Sequence, residues 1–399
     1  MNDTRARTGS AKRSLGFNKQ VLRNMRAGIT AIVLGMFLVS LLSSLAAAGQ
    51  GLAQKKGNPL KVMTQNLYVG ADIHRVLLPG DILQLAAEAY QVLGQTDFPE
   101  RAEALADEIA RVQPELIGLQ EVSWIRIQSP TDFVFYPPNA EGEVLNYLEI
   151  LLAALETRGL SYEVAAIVQN ADVELPMYAF DDLGNIIGVD DIRLTDRDVI
   201  LARDDVDIAN ATSRNYVINA QFAVGGIPVE FTRGFVAVDA TVRGGTFRFV
   251  NTHLEERGAV WPTGDEIQVL QAKELVDEFD LETVPIILVG DFNSSPEDDD
   301  TFAYHVIENA GYVDAWKRGL RGRRNRGITC CQQELLTNEN SLLFERIDHI
   351  FARNHPRETP FSIIGSIRVV GDKQKDKTVS GLWPSDHAGV VAKMPLPSE

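Results

Sequence analysis

Cysteine is nearly absent from this chain of 399 residues. The only two cysteines are neighbours, Cys330 and Cys331. A framework of several disulfides is therefore excluded, and a zinc site would need more ligands than this pair supplies nearby. Three states of the pair stay open: a vicinal disulfide, which we favour, two buried thiols, or an intermolecular link.

Several catalytic signatures are missing as well. The chain contains no HExxH, no paired CxxC and no GxSxG, so nothing indicates a zinc peptidase or a serine hydrolase of the common types. It also lacks a glycine-rich phosphate loop followed by Lys-Ser or Lys-Thr. Any phosphate chemistry must therefore use other residues.

Positive charge is scarce. The chain has 38 Lys and Arg against 55 Asp and Glu, a net charge of −17. Residues 1–48 hold seven basic side chains and one acidic side chain, so the remainder carries −23. Such a field repels nucleic acid at long range. It weakens a nuclease hypothesis without excluding a local basic groove or a metal-bridged phosphate.

Two segments have an unusual charge. Residues 317–326, KRGLRGRRNR, form the only dense basic patch after residue 48. This patch either holds a phosphate-rich substrate or balances the acidic surface. Residues 172–207 are acidic, and we expect them to form loops and short strands outside the core, with a solvated face.

The first 48 residues have the pattern of an export signal. A basic flank, residues 1–26, precedes an uncharged run, residues 27–48, which ends in Ala46-Ala47-Ala48. This pattern predicts a signal peptide or an N-terminal membrane anchor with its basic end inside, rather than a buried core helix. The protein is then exported, either secreted or anchored to the membrane, with the catalytic domain outside the cytoplasm.

After a linker at residues 49–58, strand-like and helix-like stretches alternate over residues 59–399 without a domain break. The run PIILVG is typical of a buried strand, and FPERAEALADEIARV has apolar residues at helical spacing. Two β-rich runs flank Gly244-Gly245, which indicates a hairpin. Helices together with a hairpin predict mixed sheets rather than a wholly parallel one.

Polar residues recur where apolar, strand-like runs begin or end. They are Asn66, Glu121, His253, Asp291 with Asn293, Asp348, and Ser385-Asp386-His387. Each has an ordinary explanation alone, because Asn is a common turn residue and a lone His is usually structural. Six such features in one chain predict that the strand ends converge on one edge of the sheets.

The chemistry of these residues is consistent. Glu121 and Asp386 offer the hard oxygen ligands that magnesium prefers, with Asn66 as a neutral companion. Asp348 can orient the imidazole of His387. Asp291 can orient or deprotonate water, and His253 and Asn293 can bind phosphoryl oxygens; this inventory suits hydrolysis of a phosphate ester.

The ordered motifs QN (65–66), LQEV (119–122), NTHLE (251–255), GDFN (290–293), RIDHIF (346–351) and SDH (385–387) resemble those of the endonuclease/exonuclease/phosphatase superfamily, over residues 60–396. The resemblance implies a four-layered α/β sandwich, two mixed β-sheets packed face to face with helices outside. MTQNLYVGADI and TCCQ…RID further resemble a subgroup of exported bacterial and fungal members.

The resemblance also implies roles. Glu121 would be the principal ligand of Mg²⁺, or of Mn²⁺ as a substitute, helped by Asn66 and Asp386. His387, held by Asp348, would act on the phosphate or as general base.

Asp291 would orient the attacking water, and we assign both Asp291 and His387 as acid/base candidates. His253 and Asn293 would clamp the phosphoryl oxygens. Some relatives contribute a further mid-chain tyrosine or arginine; Arg197, Asp198, Arg203 and Arg233 lie in that region, and none is assigned.

The sequence therefore predicts an exported, Mg²⁺-dependent phosphodiesterase. A phosphomonoesterase of the inositol-phosphate type and a nuclease are alternatives on the same site, and a non-catalytic binding module on this fold is an alternative of another class. The candidate substrates are a lipid headgroup, an inositol phosphate or a nucleic acid. Residues 27–48 offer a membrane contact, and no obligate protein partner is evident.

Overall fold

The computed structural model describes residues 59–396 apart from 135, 225–226, 261, 263, 298–301, 319–325 and 355–365. The predicted signal and linker, residues 1–58, lie outside the described residues, as does most of the basic stretch. Pro59–Glu399 forms one structural unit by itself. No helix in the part of the chain that the structure describes is long and apolar enough to cross a membrane.

The described residues contain sixteen strands and six α-helices. The strands are β1 Leu60–Asn66, β2 Leu116–Gln120, β3 Trp124–Gln128, β4 Gly142–Asn146, β5 Tyr162–Phe180, β6 Ile186–Arg203, β7 Asp207–Asn215, β8 Ala220–Val224, β9 Ile227–Phe231, β10 Gly234–Val242, β11 Gly245–His253, β12 Ile286–Asp291, β13 Val313–Asp314, β14 Asp348–Arg353, β15 Ile367–Val370 and β16 Gly389–Met394. The helices are α1 Ile82–Gln95, α2 Phe98–Val112, α3 Tyr147–Glu156, α4 Ile267–Glu278, α5 Ala303–Asn309 and α6 Ala315–Arg318, with 3₁₀ turns at Ile73–Leu77 and Gln374–Asp376.

The strands form two large mixed sheets. Sheet A has the order β15-β16-β1-β2-β6-β3-β4, with β5 paired to β6, and sheet B has the order β13-β14-β12-β11-β10-β7. Strands β8 and β9 form a separate two-stranded sheet. The predicted hairpin is present, because β10 and β11 pair antiparallel around Arg243 and Gly244, which both have positive φ.

Apolar side chains of both sheets meet in the central core, for example Val62 and Leu116 of sheet A with Phe247 and Ile287 of sheet B. Helices α2 and α3 cover the outer face of sheet A. Helices α4 and α5 cover the outer face of sheet B. The chain is therefore a four-layered α/β sandwich, as predicted.

One expectation was wrong. The acidic stretch 172–207 does not consist of loops and short strands, because most of it lies in the long antiparallel pair β5–β6. Asp196 and Asp198 of this stretch are buried in the sandwich rather than solvated. Charge density alone does not distinguish an exposed acidic face from buried carboxylates with a function.

Strand polarity brings the predicted polar residues to one edge. Strands β1 and β2 run parallel, as do β11 and β12, so their carboxyl ends lie side by side. Strand β14 is antiparallel to β12, which places Asp348 opposite Asp291. His253 is also the register partner of Asp291. The two sheets therefore deliver their polar termini to a common end.

A buried amide ties the two sheets together near this end. Asn251 on β11 donates to the carbonyl oxygens of Leu119 at 2.9 Å and Val199 at 3.1 Å, both on sheet A. It accepts from Gln120 Nε2 at 2.6 Å. Hydrogen-bonded polar groups inside an apolar core specify one alignment, since a shift would leave them unsatisfied.

Gly290 permits the close approach of β12 to β11. It has φ 153°, and a Cβ atom there would collide with the carbonyl oxygen of Thr252. We expect Gly290→Ala to lower the free energy of unfolding by about 1–3 kcal/mol, the usual cost of overpacking. Gly94→Ala on α1 is the control, because nothing lies within 4 Å of its added Cβ. Equal urea midpoints for the two variants would contradict this role.

His349 anchors the turn that follows β12. Its Nε2 donates to the carbonyl oxygen of Ser294 at 2.9 Å, and its Nδ1 accepts from Arg346 Nη1 at 3.0 Å. The ring lies among Phe292, Tyr304 and Phe351. Burial, and then the Arg346 guanidinium, lower the pKa of His349 to about 4.

This pKa makes stability depend on pH. Below about pH 6.5 the imidazole of the unfolded chain binds a proton, whereas the imidazole of the folded chain binds one only near pH 4. The contribution of His349 is therefore complete above pH 6.5 and is lost as pH falls to 4, roughly 3 kcal/mol in all. Denaturant unfolding at several pH values should show a shallower dependence in His349→Gln than in the native chain. His305→Gln, which changes a half-exposed histidine of α5, is the control; an unchanged slope in His349→Gln would contradict the assignment.

Candidate active site

A cavity of about 470 Å³ opens at the common end of the two sheets. Of the eight predicted site residues, six line it: Glu121, His253, Asp291, Asn293, Asp386 and His387. The other two, Asn66 and Asp348, are hydrogen-bonded directly to lining residues. The structure therefore brings all eight together.

The acid–imidazole pair is formed. His387 Nδ1 lies 2.9 Å from Asp348 Oδ2, which leaves Nε2 as the second nitrogen of the ring. Burial opposes the charge on His387, but the carboxylates of Asp348, Asp386 and Asp291 outweigh it and raise its pKa well above the usual range. These carboxylates therefore favour the protonated form of the ring.

Asp291 occupies the centre of the cluster. Its Oδ1 accepts from Asn293 N at 2.9 Å, and its Oδ2 accepts from Asn66 Nδ2 at 3.1 Å. The same Oδ2 lies 3.6 Å from His253 Nε2 and 3.8 Å from His387 Nδ1. Burial and then Asp348 raise the pKa of Asp291 to about 7, so this carboxyl group can exchange a proton near neutrality.

Glu121 follows β2 in the left-handed region, at φ 54°. Its Oε1 accepts from Asn66 Nδ2 at 2.9 Å and its Oε2 from Val69 N at 2.6 Å. Asn66 Oδ1 accepts from Tyr68 N at 2.9 Å, so the amide N–H groups of Asn66 bridge Glu121 and Asp291. A left-handed non-glycine residue stores strain, which is common at functional sites.

The donor set fits a divalent cation. Burial, and then the carboxylates of Asp386 and Asp196, raise the pKa of Glu121 to about 7. Burial likewise raises the pKa of Asp386. Carboxylates that repel one another in a buried pocket offer hard oxygen ligands, and a bound cation relieves that repulsion.

His253 has a cationic neighbour. Its Nδ1 lies 3.0 Å from Arg233 Nη1. The guanidinium can only donate, so Nδ1 accepts and the proton of the neutral ring is on Nε2. Burial, and then Arg233, hold the pKa of His253 well below its usual range. His253 therefore offers an N–H donor that lies 3.6 Å from Asp291 Oδ2. Asn293 Nδ2 is 3.2 Å from the same nitrogen and donates to the carbonyl oxygen of Leu254 at 3.0 Å.

Arg233 is held by acids in turn. It lies 3.7 Å from Asp196 Oδ2 and 3.7 Å from Glu255 Oε1. The sequence placed Arg233 in the right region without a role, and it missed Asp196 and Glu255. Glu255 ends the NTHLE motif and carried a usable signal, whereas Asp196 stood in a stretch that charge alone assigned to the surface.

Cys330 and Cys331 lie in the wall of the pocket and form a vicinal disulfide. The described ends of the basic stretch are engaged with acids. Lys317 Nζ is 2.8 Å from Glu308 Oε1, and Arg326 pairs with Glu297.

A fully buried arginine joins the two segments that carry site residues. Arg101 on α2 donates to the carbonyl oxygens of Leu67 at 2.6 Å and Tyr68 at 3.1 Å, directly after Asn66. It also donates to the carbonyl oxygen of Pro384 at 3.1 Å, before Ser385. Ser385 Oγ then donates to the carbonyl oxygen of Asn66 at 2.8 Å. These bonds fix the spacing between the end of β1 and the SDH motif.

Solved structures with a similar fold include three informative examples. An endonuclease/exonuclease/phosphatase family protein from Leptotrichia buccalis is 16% identical, with 84% of this chain and 99% of that chain covered and a TM-score of 0.49. TDP2 from D. rerio, complexed with a single-strand DNA product, is 15% identical, with coverages of 84% and 98% and a TM-score of 0.47. A mannosyl-6-phosphatase from Bacteroides thetaiotaomicron is 18% identical, with coverages of 84% and 99% and a TM-score of 0.47.

Among curated proteins no match was found. The sequence model of the Endonuclease/Exonuclease/phosphatase family matches residues 63–387. This range spans most of the chain and contains all eight predicted site residues. His387 is its last position. The chain therefore belongs to the endonuclease/exonuclease/phosphatase family, a family of phosphate-ester hydrolases.

Proposed function

We propose that the protein is an exported phosphodiesterase that uses a divalent cation, Mg²⁺ or Mn²⁺, to hydrolyse a phosphate diester. The observation that carries the proposal is the His387–Asp348 pair beside Asp291, in a pocket that also holds Glu121 and Asp386. Export rests on the pattern of residues 1–48. The pocket offers a base, an acid and phosphoryl donors in contact with one another.

The chain's own residues supply the proton transfers. Asp291 accepts a proton from water as the water oxygen bonds to phosphorus, since its pKa of about 7 suits a base at neutral pH. The bond from phosphorus to the ester oxygen breaks, and His387 donates its proton to that leaving oxygen. His253 Nε2–H and Asn293 donate to the phosphoryl oxygens, where negative charge increases in the transition state.

Glu121 and Asp386 would hold the cation, with Asn66 orienting Glu121. When bound, the cation supplies Lewis-acid neutralisation of the phosphoryl charge. His387 carries the other positive charge, and Asp348 keeps its ring in one orientation.

The ion pairs favour a diester over a monoester. A terminal phosphate is a dianion and needs more positive charge around it. Among the described lining residues, both arginines already have carboxylate partners: Arg233 lies beside Asp196 and Glu255, and Arg257 pairs with Glu345. A singly charged diester matches this pocket better.

The direct test is hydrolysis of bis(p-nitrophenyl) phosphate by the full-length chain. We expect His387→Ala to lower kcat by about 10²–10⁴, the range for a lost acid–base group. Glu121→Gln should also lower kcat, because a ligand of the proposed cation loses its charge. His305→Ala, at a half-exposed histidine, and Glu339→Gln, at an exposed glutamate, serve as matched controls. Glu121→Gln should also weaken Mg²⁺ binding measured by calorimetry.

Excess EDTA should abolish hydrolysis, and added Mg²⁺ or Mn²⁺ should restore it. Full activity in EDTA would refute the use of a cation. Faster hydrolysis of p-nitrophenyl phosphate than of the diester would favour a phosphomonoesterase instead.

Arg233 has a testable positioning role. In Arg233→Lys the shorter cation loses the fork that reaches His253 and two carboxylates, so we expect kcat/KM to fall by about 10- to 100-fold, the worth of a charge-assisted hydrogen bond. Nitrogen NMR should show a proton on Nε2 of His253 in the native chain and a mixture of tautomers in the variant. Arg214→Lys, an exposed arginine between Glu274 and Glu278, is the control. A single unchanged tautomer in Arg233→Lys would rule this role out.

A further inference from the structure

A second cavity lies beside the candidate active site. Its volume is about 80 Å³. Five residues line both cavities: Val69, Ala71, Ile73, Leu194 and Phe231. The two cavities therefore adjoin at these five residues.

The second cavity is lined by hydrocarbon. Helix α1 contributes Ala86, Ala89 and Tyr90, and the β5–β6 pair contributes Val173 and Ile192 among others. None of the described residues that line it is charged, and the Tyr90 hydroxyl is the single polar side-chain group among them. A nucleobase or a sugar ring placed there would leave its hydrogen-bonding groups unsatisfied, at a cost of about 1–3 kcal/mol each. An alkyl or acyl chain has no such groups.

The charge of the first cavity also favours a substrate with a hydrocarbon part over a nucleic acid. Asp72 and Glu256 line the first cavity, where Glu334 and Glu345 are paired with Arg75 and Arg257, and the whole chain carries −17. Acidic side chains around the opening repel a polyanion such as nucleic acid, which must bring several phosphates close to the surface. A substrate with one phosphate and an uncharged tail avoids this repulsion.

We infer that the second cavity, between α1 and the β5–β6 pair, is a subsite for the hydrocarbon part of the substrate. The inference rests on the proposed function and names its substrate class, an alkyl- or acyl-bearing phosphodiester. The phosphate lies at His253, Asn293 and His387, and the hydrocarbon tail of the substrate passes over Leu194 and Phe231. Burial of this hydrocarbon tail supplies binding free energy that a water-soluble headgroup alone does not have.

The test is a series of alkyl p-nitrophenyl phosphates with methyl, butyl and octyl groups. They are used below micelle-forming concentrations, with the full-length protein and Mg²⁺. The leaving group and charge stay constant, so only the hydrocarbon varies. We expect kcat/KM to rise by about fourfold for each methylene that is buried. Equal kcat/KM across an actively hydrolysed series would refute the subsite and leave the proposed function standing.

A filled cavity should abolish this gain. Ala89→Phe places a ring in the subsite, and Gln91→Phe places the same ring on the exposed face of α1. We expect the octyl-to-methyl ratio of kcat/KM to fall towards one in Ala89→Phe and to stay at the native value in Gln91→Phe. Equal ratios in the two variants would refute the subsite. The series of alkyl lengths measured on the unsubstituted protein tests the subsite by itself. Misfolding of Ala89→Phe would therefore leave that test in place.

Binding separates failure of the subsite from failure of the proposed function. No hydrolysis of any member of the series would refute the proposed function. The subsite is then judged by thermal unfolding, where octyl phosphate should raise the Tm of the native chain more than ethyl phosphate does; equal shifts would refute it. Hydrolysis of a phosphodiester lipid in vesicles would identify a membrane lipid as the substrate. Hydrolysis of the dispersed octyl diester alone would identify a soluble amphiphile as the substrate.

Discussion

The arrangement of the site depends on the buried guanidinium of Arg101. A charge removed from water needs hydrogen-bond partners for its donors, and Arg101 finds them in backbone carbonyls. Two of these carbonyls, those of Leu67 and Tyr68, follow β1, and another, that of Pro384, precedes the SDH motif. One side chain therefore links two segments that lie more than three hundred positions apart in the sequence. Burial raises the pKa of Asp386, and the positive charges of His387 and then Arg101 oppose that rise.

Around this link the protein concentrates negative charge that it must balance. Asp291, Asp386 and Glu121 gather beside Asp348 at one end of the sheets, and burial raises the pKa of these three carboxyl groups. The balance comes from protonated His387 and from hydrogen bonds such as those of Asn66. In the function that we propose, a bound cation completes the balance and also attracts the anionic phosphate. The same features that make the cluster of carboxylates costly to bury therefore prepare it for its substrate.

Neutral histidines recur in a common arrangement. In both His253 and His349 an arginine donates to Nδ1, which places the proton on Nε2. His349 uses that proton to hold the turn after β12. His253 instead presents it beside Asn293, in the pocket. The same local chemistry thus supports structure in one case and, in our proposal, phosphoryl binding in the other.

The sequence alone determined which residues end strands and which chemistry they offer, because apolar periodicity and short motifs are local properties. Asn66, Glu121, Asp291 and His387 could be selected in this way, and so could mixed sheets, whereas the four layers followed from the resemblance of the motifs to a known family. Only the tertiary structure decided the partners. Arg101, Arg233 and Asp196 act through contacts with residues far away in the chain, and no local pattern separates a buried arginine or aspartate from a solvated one. The apolar cavity beside the site likewise exists only where α1 meets the β5–β6 pair, since a space between elements has no sequence of its own.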